Sequence, residues 1–254
     1  MKKLLAALLL TAMLLTLAAC GDAAPAPLPN TTITNTTGLV EVWLVTEIWE
    51  DDEKTVYTYD EKGNLLTGAI YEDDELEQSL KILYDDEGRF VEQVTYDDDG
   101  DLSSRMVYTY NEKGQRATMR YLDKGMEELW TTVFTYDEKG NIIKREDSDG
   151  YTVIATYDEN NRRLTEIALW NGEEDDRYEY TYNSDGTPKK STRYNDGEYW
   201  GYQEYFCDAT GNPFRITRYD VDGNEISSVT YQYTSVRVTP KRAKELKAIQ
   251  DDLI

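Results

Sequence analysis

The sequence predicts an all-β protein built as one long antiparallel meander, and two observations support this. A turn-forming unit recurs along the chain, in which Tyr is followed by Asp or Asn and then by Gly four residues after the Tyr, as in residues 59–63 and 136–140. Between these turns the side chains alternate with period two, so that Met106, Tyr108 and Tyr110 share one face of a predicted strand. One turn falls about every 12 residues, which predicts about 16 strands of about 6 to 8 residues.

The repeat domain is predicted to span residues 38–238 and to begin with a strand rich in β-branched and aromatic residues. Its turns have suitable chemistry, because Asp60 can accept a backbone N–H and Gly63 can supply the positive φ that closes a bulged hairpin. Asn161 replaces that Gly in one copy, and Asn tolerates the left-handed region. Residues 206–211 carry one extra residue after an aromatic start, which predicts a looser turn.

The number of strands limits the shape of the sheet. Laid flat at about 4.8 Å per strand it would be roughly 75 Å wide, and open twisted sheets rarely exceed about ten strands without curling or splitting. An aromatic face of that size is also unfavourable in water. We therefore expect a coiled single sheet, a half-open roll with the aromatic residues inside; a two-sheet sandwich is the alternative.

Residues 239–254 are predicted to form a short C-terminal helix. Thr239 is the expected N-cap, Pro240 suits the first turn, and Leu246 belongs to an apolar stripe that could cover the open end of the sheet.

The composition excludes several functions. Lys and Arg total 27 against 50 Asp and Glu, for a net charge of −23, which argues against binding nucleic acid through its phosphates. The chain has no His, so a Ser-His-Asp triad, a His-bearing zinc site and a histidine general base are excluded. Carboxylate chemistry remains open. No cofactor is expected.

The N-terminus has the features of an export signal. Lys2 and Lys3 precede an apolar run that is short for a membrane span, and small residues close it, which predicts a signal peptide over residues 1–19. Residues 17–20, Leu-Ala-Ala-Cys, resemble the lipobox of bacterial lipoproteins. The resemblance implies cleavage before Cys20 and a lipid on Cys20; ordinary secretory cleavage with an incidental Cys is the alternative. The Pro-rich residues 20–37 then indicate a flexible tether.

Lipidation of Cys20 would leave Cys207 without a disulfide partner, so the fold would depend on packing alone. Because no His is present to activate a thiol, Cys207 is interpreted as a half-buried residue at a strand end.

The repeats themselves resemble a known class. Residues 57–65, 134–142 and 217–224 are similar to the YD repeat of the RHS family, and the resemblance covers about residues 54 to 234. The longer alternation is also similar to MORN-like repeat lipoproteins and antitoxins. The resemblance implies a β-hairpin repeat sheet and a loose association with cell-surface recognition. RHS proteins have many more repeats and a variable C-terminal toxic domain, so their encapsulating role is not implied here.

Two groups of residues are candidates for binding. Asp-rich turns at residues 97–101, 147–150 and 220–225 resemble partial calcium loops, but none has the complete EF-hand spacing and turn formation explains their Asp and Gly, so no metal site is predicted. Five aromatic residues could form a platform on which sugar rings stack, although filling the inside of the coiled sheet is the simpler explanation. They are Trp130, Trp170, Tyr199, Trp200 and Tyr202.

These features together predict a non-catalytic, exported lipoprotein of the bacterial cell envelope, held to the membrane through Cys20 and facing away from the cytoplasm. Its repeat sheet is expected to bind a protein or a glycan partner. The alternatives are a carboxylate-based glycan hydrolase, which would need two facing carboxylates, and an immunity or antitoxin-like partner of a secreted toxin.

Overall fold

In a computed structural model, residues 38–250 are described, and they form sixteen antiparallel strands and one helix. Each strand pairs with its neighbours in the sequence, as the meander prediction requires. The strands are β1 Val40–Glu50, β2 Glu53–Tyr59, β3 Leu65–Glu72, β4 Glu75–Tyr84, β5 Phe90–Asp97, β6 Leu102–Tyr110, β7 Arg116–Asp123, β8 Glu128–Tyr136, β9 Ile142–Asp147, β10 Tyr151–Tyr157, β11 Arg163–Trp170, β12 Glu173–Tyr182, β13 Pro188–Asn195, β14 Glu198–Cys207, β15 Pro213–Tyr219 and β16 Glu225–Val238.

The sheet closes into a sixteen-stranded barrel, so the predicted half-open roll and the alternative two-sheet sandwich are both wrong. The closing pair is β1 with β16, whose register runs from Val40 opposite Val238 to Glu50 opposite Val229. Closure gives the N–H and C=O groups of both end strands a partner, which an open roll would leave exposed at two edges. It also hides the inner face without splitting the sheet.

The turns fall into two series at opposite ends of the barrel. Six of the seven turns after the even-numbered strands β2 to β14 follow a Tyr, and the seventh follows Cys207; we call this the tyrosine end. The other eight turns, which follow β1, β3 and the other odd-numbered strands, form the carboxylate end. An antiparallel meander reverses direction at every turn, and alternate turns therefore lie at the same end.

The strong turns use the chemistry expected from the sequence. The Asp60 carboxylate accepts hydrogen bonds from the backbone N–H groups of Lys62 and Asn64, each at 2.8 Å. Gly63 has a φ of 78° and Asn161 a φ of 62°, so both positions need a residue that tolerates the left-handed region.

The turn after β14 is not looser than the others. The backbone N–H of Asp208 donates to the carbonyl oxygen of Asn212 at 2.9 Å, as Asp60 does to Asn64. The sequence prediction aligned Phe206 with the Tyr of the repeat, whereas Cys207 occupies that place, immediately before the Asp, at the end of β14.

At the tyrosine end, tyrosine hydroxyls join each of several even-numbered strands to the odd-numbered strand that precedes it. The Tyr84 hydroxyl donates to the carbonyl oxygen of Leu65 at 2.9 Å, which reaches back to the start of the preceding odd-numbered strand. The same bond recurs in other repeats from Tyr59 to Val45, Tyr110 to Phe90, Tyr157 to Ile142, Tyr182 to Arg163 and Tyr233 to Pro213. This series explains why the repeat uses Tyr rather than Phe.

The inner face of the wall from β14 through β1 to β6 carries the largest apolar cluster, which includes Tyr57, Leu80, Met106 and Ile216. Gly68 lies between Tyr57 and Leu80, and a Cβ there would stand 2.9 Å from Leu80 Cγ and 3.1 Å from Tyr57 Cδ1. Gly68 therefore lets the two side chains pack across β3. Burial raises the pKa of the Tyr84 hydroxyl to about 12, so this hydroxyl stays a protonated donor at neutral pH.

The helix α1, Pro240–Gln250, packs beside β1 where β1 extends past β2. Thr239 precedes it, and its hydroxyl accepts the N–H of Arg242 at 3.3 Å. Leu246 is buried against Leu44 and Val238. None of the helices within residues 38–250 is both long and apolar enough to cross a membrane.

The signal peptide over residues 1–19, the tether over residues 20–37 and Cys20 lie outside the described residues, as do residues 251–254.

Candidate binding site at the carboxylate end

The carboxylate end is the more acidic end of the barrel. Lys124 is the one basic residue in its described turns. The acidic residues of those turns are Asp51, Asp52, Asp73, Asp74, Asp98, Asp99, Asp101, Glu127, Asp149, Asp196, Asp220 and Asp222. The turns of the tyrosine end, by contrast, mix acidic residues with Lys62, Arg89, Lys113, Lys139 and Arg162.

All five predicted aromatic residues lie toward the carboxylate end, but on two different faces of the wall. Trp130 on β8 and Trp170 on β11 point to the inner face, since they alternate in step with the buried residues Thr132 and Ala168. Tyr199 and Tyr202 lie on the outer face of β14, out of step with the buried residue Gln203. The five residues therefore do not form one platform.

The outer pair is already engaged by neighbouring side chains. Tyr202 stacks on Tyr219 with ring centroids 4.7 Å apart, and the ammonium group of Lys190 lies 3.8 Å from the centroid of the Tyr202 ring. Because Lys190 is on β13 and Tyr219 on β15, they approach Tyr202 from opposite neighbouring strands. Tyr199 meets the edge of Tyr194 at 6.2 Å. The Tyr202 ring is therefore largely covered, whereas Tyr199 remains 43% exposed on the outer face.

Trp130 is also partly covered. Its ring is stacked on that of Tyr121, with centroids 4.1 Å apart and an angle of 11° between the planes. One indole face is therefore occupied by the neighbouring strand β7.

Trp170 is open, with 49% of the residue exposed. It ends β11 opposite Tyr151, and the two rings are tilted, with centroids 6.3 Å apart. Burial raises the pKa of Tyr151, so its hydroxyl is a neutral donor beside the indole.

Trp200 is the most exposed of the predicted residues, at 55%. It is the extra residue of a β-bulge, because Gly201 pairs with Arg193 and Tyr199 pairs with Tyr194. The guanidinium carbon of Arg193 lies 5.6 Å from the Trp200 ring centroid, which places Trp200 on the inner side of the wall with Arg193.

Gly201 follows this bulge directly and allows β15 to approach closely. Its φ is 147°, and a Cβ at this position would stand 2.3 Å from the carbonyl oxygen of Tyr219 on the neighbouring strand. Only Gly fits such a close approach of two backbones.

Polar residues of β12 and β13 lie between the two exposed indoles. Arg193 Nε donates to Asp176 Oδ1 at 2.8 Å, and Arg193 Nη2 donates to Asp176 Oδ2 at 2.9 Å, so the two side chains form a bidentate pair. Asn195 donates to the carbonyl oxygen of Asp175 at 3.1 Å. We call the group of Tyr151, Trp170, Asp176, Tyr178, Arg193, Asn195 and Trp200 the Trp170–Trp200 site.

Strand geometry sets the size of the site. Trp170 on β11 and Trp200 on β14 are separated by three strand spacings, about 14 Å along the wall. The site therefore has an aromatic residue at each side and a polar centre.

The carboxyl groups with raised pKa values are not brought together. Burial raises the pKa of Glu53, with Glu50 and Glu72 adding to the effect. Burial also raises the pKa of Asp147, to which the carboxylate of Asp149 contributes. Glu53 is on β2 and Asp147 on β9, seven strands apart around the barrel, and neither carboxylate contributes to the raised pKa of the other, as the facing pair of a glycoside hydrolase would.

The Asp-rich turns use their leading carboxylates internally. The Asp97 carboxylate accepts the N–H of Asp101 at 2.8 Å, and the Asp220 carboxylate accepts the N–H groups of Asp222 and Asn224. Within residues 38–250, no group of three or more acidic or thiol side chains is placed to hold a metal ion.

The sequence reading missed most of the polar part of this site. Asp176 and Arg193 were not singled out, because one carboxylate among 50 acidic residues gives no signal by itself. Gly201 could have been found, since an isolated Gly inside a strand pattern indicates a bulge or a close backbone approach.

Comparison with known proteins supports the fold and gives no activity. A family model described as an uncharacterised protein matches residues 42–129. No curated protein sequence matches the chain. A porin-like protein from Bacteroides uniformis is 17% identical, with a TM-score of 0.50 over 79% of this chain and 98% of that chain, which indicates a shared fold.

Two further structures are more distant. A porin-like protein from Bacteroides vulgatus is 13% identical, with a TM-score of 0.36 over 75% of this chain and 99% of that chain. The Photorhabdus luminescens Tc holotoxin pore is 14% identical, with a TM-score of 0.32 over 74% of this chain and 14% of that chain. These two scores are too low to support an inference.

Proposed function

We propose that this protein is a non-catalytic, lipid-anchored protein of the bacterial cell envelope that binds a glycan at the Trp170–Trp200 site. One observation carries the proposal: two exposed indoles face the same side of the wall, with hydrogen-bonding groups between them. Large exposed aromatic residues are costly in water and are enriched where ligands or partners bind.

The chemistry of the site suits a sugar. A pyranose ring has an apolar C–H face, which can pack on an indole, and a rim of hydroxyl groups that need hydrogen-bond partners. Asp176 and Asn195 provide acceptors, and Arg193 and Asn195 provide donors. A spacing of about 14 Å between the indoles matches a short oligosaccharide better than a single sugar.

The position of the site fits an anchored protein. β1 starts at Val40 at the tyrosine end, so a tether joined to Cys20 would lead to that end. The Trp170–Trp200 site lies at the opposite end, where a strand of about eight residues would place it about 25 Å farther from the membrane.

Charged side chains on the outer face of the wall favour a barrel that is surrounded by water rather than by lipid. Arg105 donates to Glu92 at 2.6 Å and Arg177 to Glu179 at 2.9 Å, and all four residues face outward from the strands. A membrane-spanning barrel presents an apolar band to lipid instead. The membrane contact is therefore assigned to the lipid on Cys20 and not to the wall.

A protein partner with a basic surface is the second candidate. The acidic turns around the rim favour it, because complementary charge steers association and disfavours acidic partners. Such a partner would contact the turns, and its binding would weaken steeply with salt and would not compete with an oligosaccharide.

The test is a screen of the purified protein against envelope oligosaccharides, followed by calorimetry on those that bind. Trp170→Ala and Trp200→Ala should each weaken binding at least about tenfold, which is about 1.4 kcal/mol. Trp49→Ala is the matched control, because Trp49 is exposed on the outer face near the same end. Failure of every glycan to bind, or release of shortened products, would contradict the proposal.

A further inference from the structure

We infer that the ligand of the Trp170–Trp200 site carries a protonated amine, so that its chemical class is an amino sugar oligomer with free amino groups. The inference rests on the proposed function and narrows it from glycans in general to cationic ones.

The inference rests on an excess of negative charge on the inner face of the site. Glu173 pairs directly with Trp170 across β11 and β12, and Glu198 pairs directly with Asn195 across β13 and β14. Residues directly opposite each other in a sheet face the same side, so both carboxylates belong to the inner face of the site, together with Asp176. Arg193 is the one cation among these paired residues, but the charge of Arg145 also acts on Tyr151 and that of Arg218 on Tyr178. Arg145 lies 4.0 Å from the Glu166 carboxylate and Arg218 pairs with Glu50, so both of these charges are compensated.

The positive charge of Arg193 does not cancel this excess of negative charge. Both carboxylate oxygens of Asp176 accept from its guanidinium group, so its charge is already paired. Burial alone would lower the pKa of Arg193, but its hydrogen bond to Asp176 and the neighbouring acidic groups raise that pKa, so Arg193 stays charged. Among the described residues 38–250, neither Glu173 nor Glu198 forms an ion pair with Lys or Arg, and the nearby Arg177 and Arg193 pair with other carboxylates.

The aromatic residues favour the same ligand. A cation placed over an indole gains about 0.5 to 2 kcal/mol, and Trp is the best of the aromatic side chains for this interaction. Trp170 and Trp200 are the exposed rings of the site. Glu173 pairs directly with Trp170, and Glu198 lies two residues before Trp200 on β14. An anionic sugar would meet two unpaired carboxylates and an Arg193–Asp176 pair whose charges cancel, which disfavours it.

The decisive experiment compares two oligosaccharides that differ only in the amine. The full chain is titrated by calorimetry with a β-1,4-linked glucosamine tetramer and with its fully N-acetylated counterpart, at about pH 5.5, where exposed Asp and Glu are ionised. We expect the amine form to bind at least tenfold more tightly. Its affinity should fall as salt is raised from about 0.05 to 0.5 M, whereas that of the acetylated form should not.

Variants separate the inference from the proposed function. Glu173→Gln with Glu198→Gln should remove most of the preference for the amine while leaving the acetylated tetramer unaffected, and Glu204→Gln on the outer face of β14 should change neither. Equal binding of the two tetramers, or tighter binding of the acetylated one, would overturn the inference and leave the glycan function standing. Failure of both to bind would overturn both.

Discussion

Gly201 lies against the backbone of Tyr219, so close that a Cβ on Gly201 would stand 2.3 Å from the Tyr219 carbonyl oxygen. Gly201 directly follows Trp200, the extra residue of the bulge, and the Trp200 ring lies beside Arg193. The close packing at Gly201 thus holds the segment of β14 that carries the most exposed aromatic residue of the proposed site.

Gly201→Ala should therefore affect both stability and binding. The methyl group must push β14 away from β15, and we expect a loss of about 2 to 4 kcal/mol in the free energy of unfolding, measured by urea denaturation. Gly197→Ala is the control, because Gly197 also has a positive φ, 79°, but has open space around its Cβ. It should cost about 1 to 2 kcal/mol. Equal losses would show that the contact with Tyr219 is unimportant.

The hydroxyl series at the tyrosine end should be measurable one bond at a time. Tyr84→Phe removes the hydrogen bond to the Leu65 carbonyl oxygen and should lower the free energy of unfolding by about 1 kcal/mol. Tyr199→Phe, on the exposed outer face, should change it by less than about 0.5 kcal/mol. A Tyr84→Phe protein as stable as the parent would mean that the repeat keeps Tyr for another reason.

The Gln250 side chain hydrogen-bonds to β1 in the segment that extends past its pairing with β2. Its Oε1 atom accepts the N–H of Val45 at 2.6 Å, and its Nε2 atom donates to the Tyr59 hydroxyl, which in turn donates to the Val45 carbonyl oxygen. Gln250→Ala leaves a buried N–H without a partner and should cost about 1 to 3 kcal/mol in thermal or urea unfolding. Gln232→Ala, exposed on β16, should be nearly neutral, and similar losses in both variants would argue against this role for α1.

The contribution of Glu53 to the free energy of unfolding should depend on pH in a defined direction. Its raised pKa means that the folded state holds the proton more tightly than the unfolded state, so its contribution to stability is present below the unfolded pKa. That contribution is lost as the pH rises through the folded pKa. Glu53→Gln should therefore increase the free energy of unfolding at pH 7, and the increase should vanish near about pH 3.

Asp137 should behave in the opposite way. Burial alone would raise the pKa of Asp137, but hydrogen bonds from Asn141 and from the N–H of Lys139 lower that pKa below its ordinary value. Its stabilisation is present above the unfolded pKa and is lost as the pH falls through the folded pKa, so Asp137→Asn should destabilise the protein at pH 7 and matter less in acid. A pH-independent effect of either substitution would contradict the assignment, and unfolding curves at several pH values would reveal it.

The sequence predicted the strands because their signals are local. Alternation around Tyr108 and the turn at residues 60–63 each lie within a few residues, and both appear in the structure as predicted. Closure of the barrel could not be predicted in this way. It depends on Val40 meeting Val238, and nothing in either strand specifies a partner almost the whole domain away.

The candidate site was predicted only in its aromatic part. Trp170 and Trp200 stand out by residue type, but strand register decides that they share the inner face while Tyr199 and Tyr202 face outward. A single bulge at Trp200 changes that register, and a one-residue shift moves a side chain to the opposite face. Asp176 and Arg193 become recognisable only once β12 and β13 are paired.

The central claim is that a glycan binds between Trp170 and Trp200, and the most direct measurement is NMR of the five indole N–H groups during titration with the glucosamine tetramer. Signals would be assigned with single Trp→Phe variants. The account predicts saturable shifts of the Trp170 and Trp200 signals, with the Trp49 signal unchanged. Saturable shifts of Trp49 alone, or no shift of Trp170 and Trp200 at saturating ligand, would contradict it.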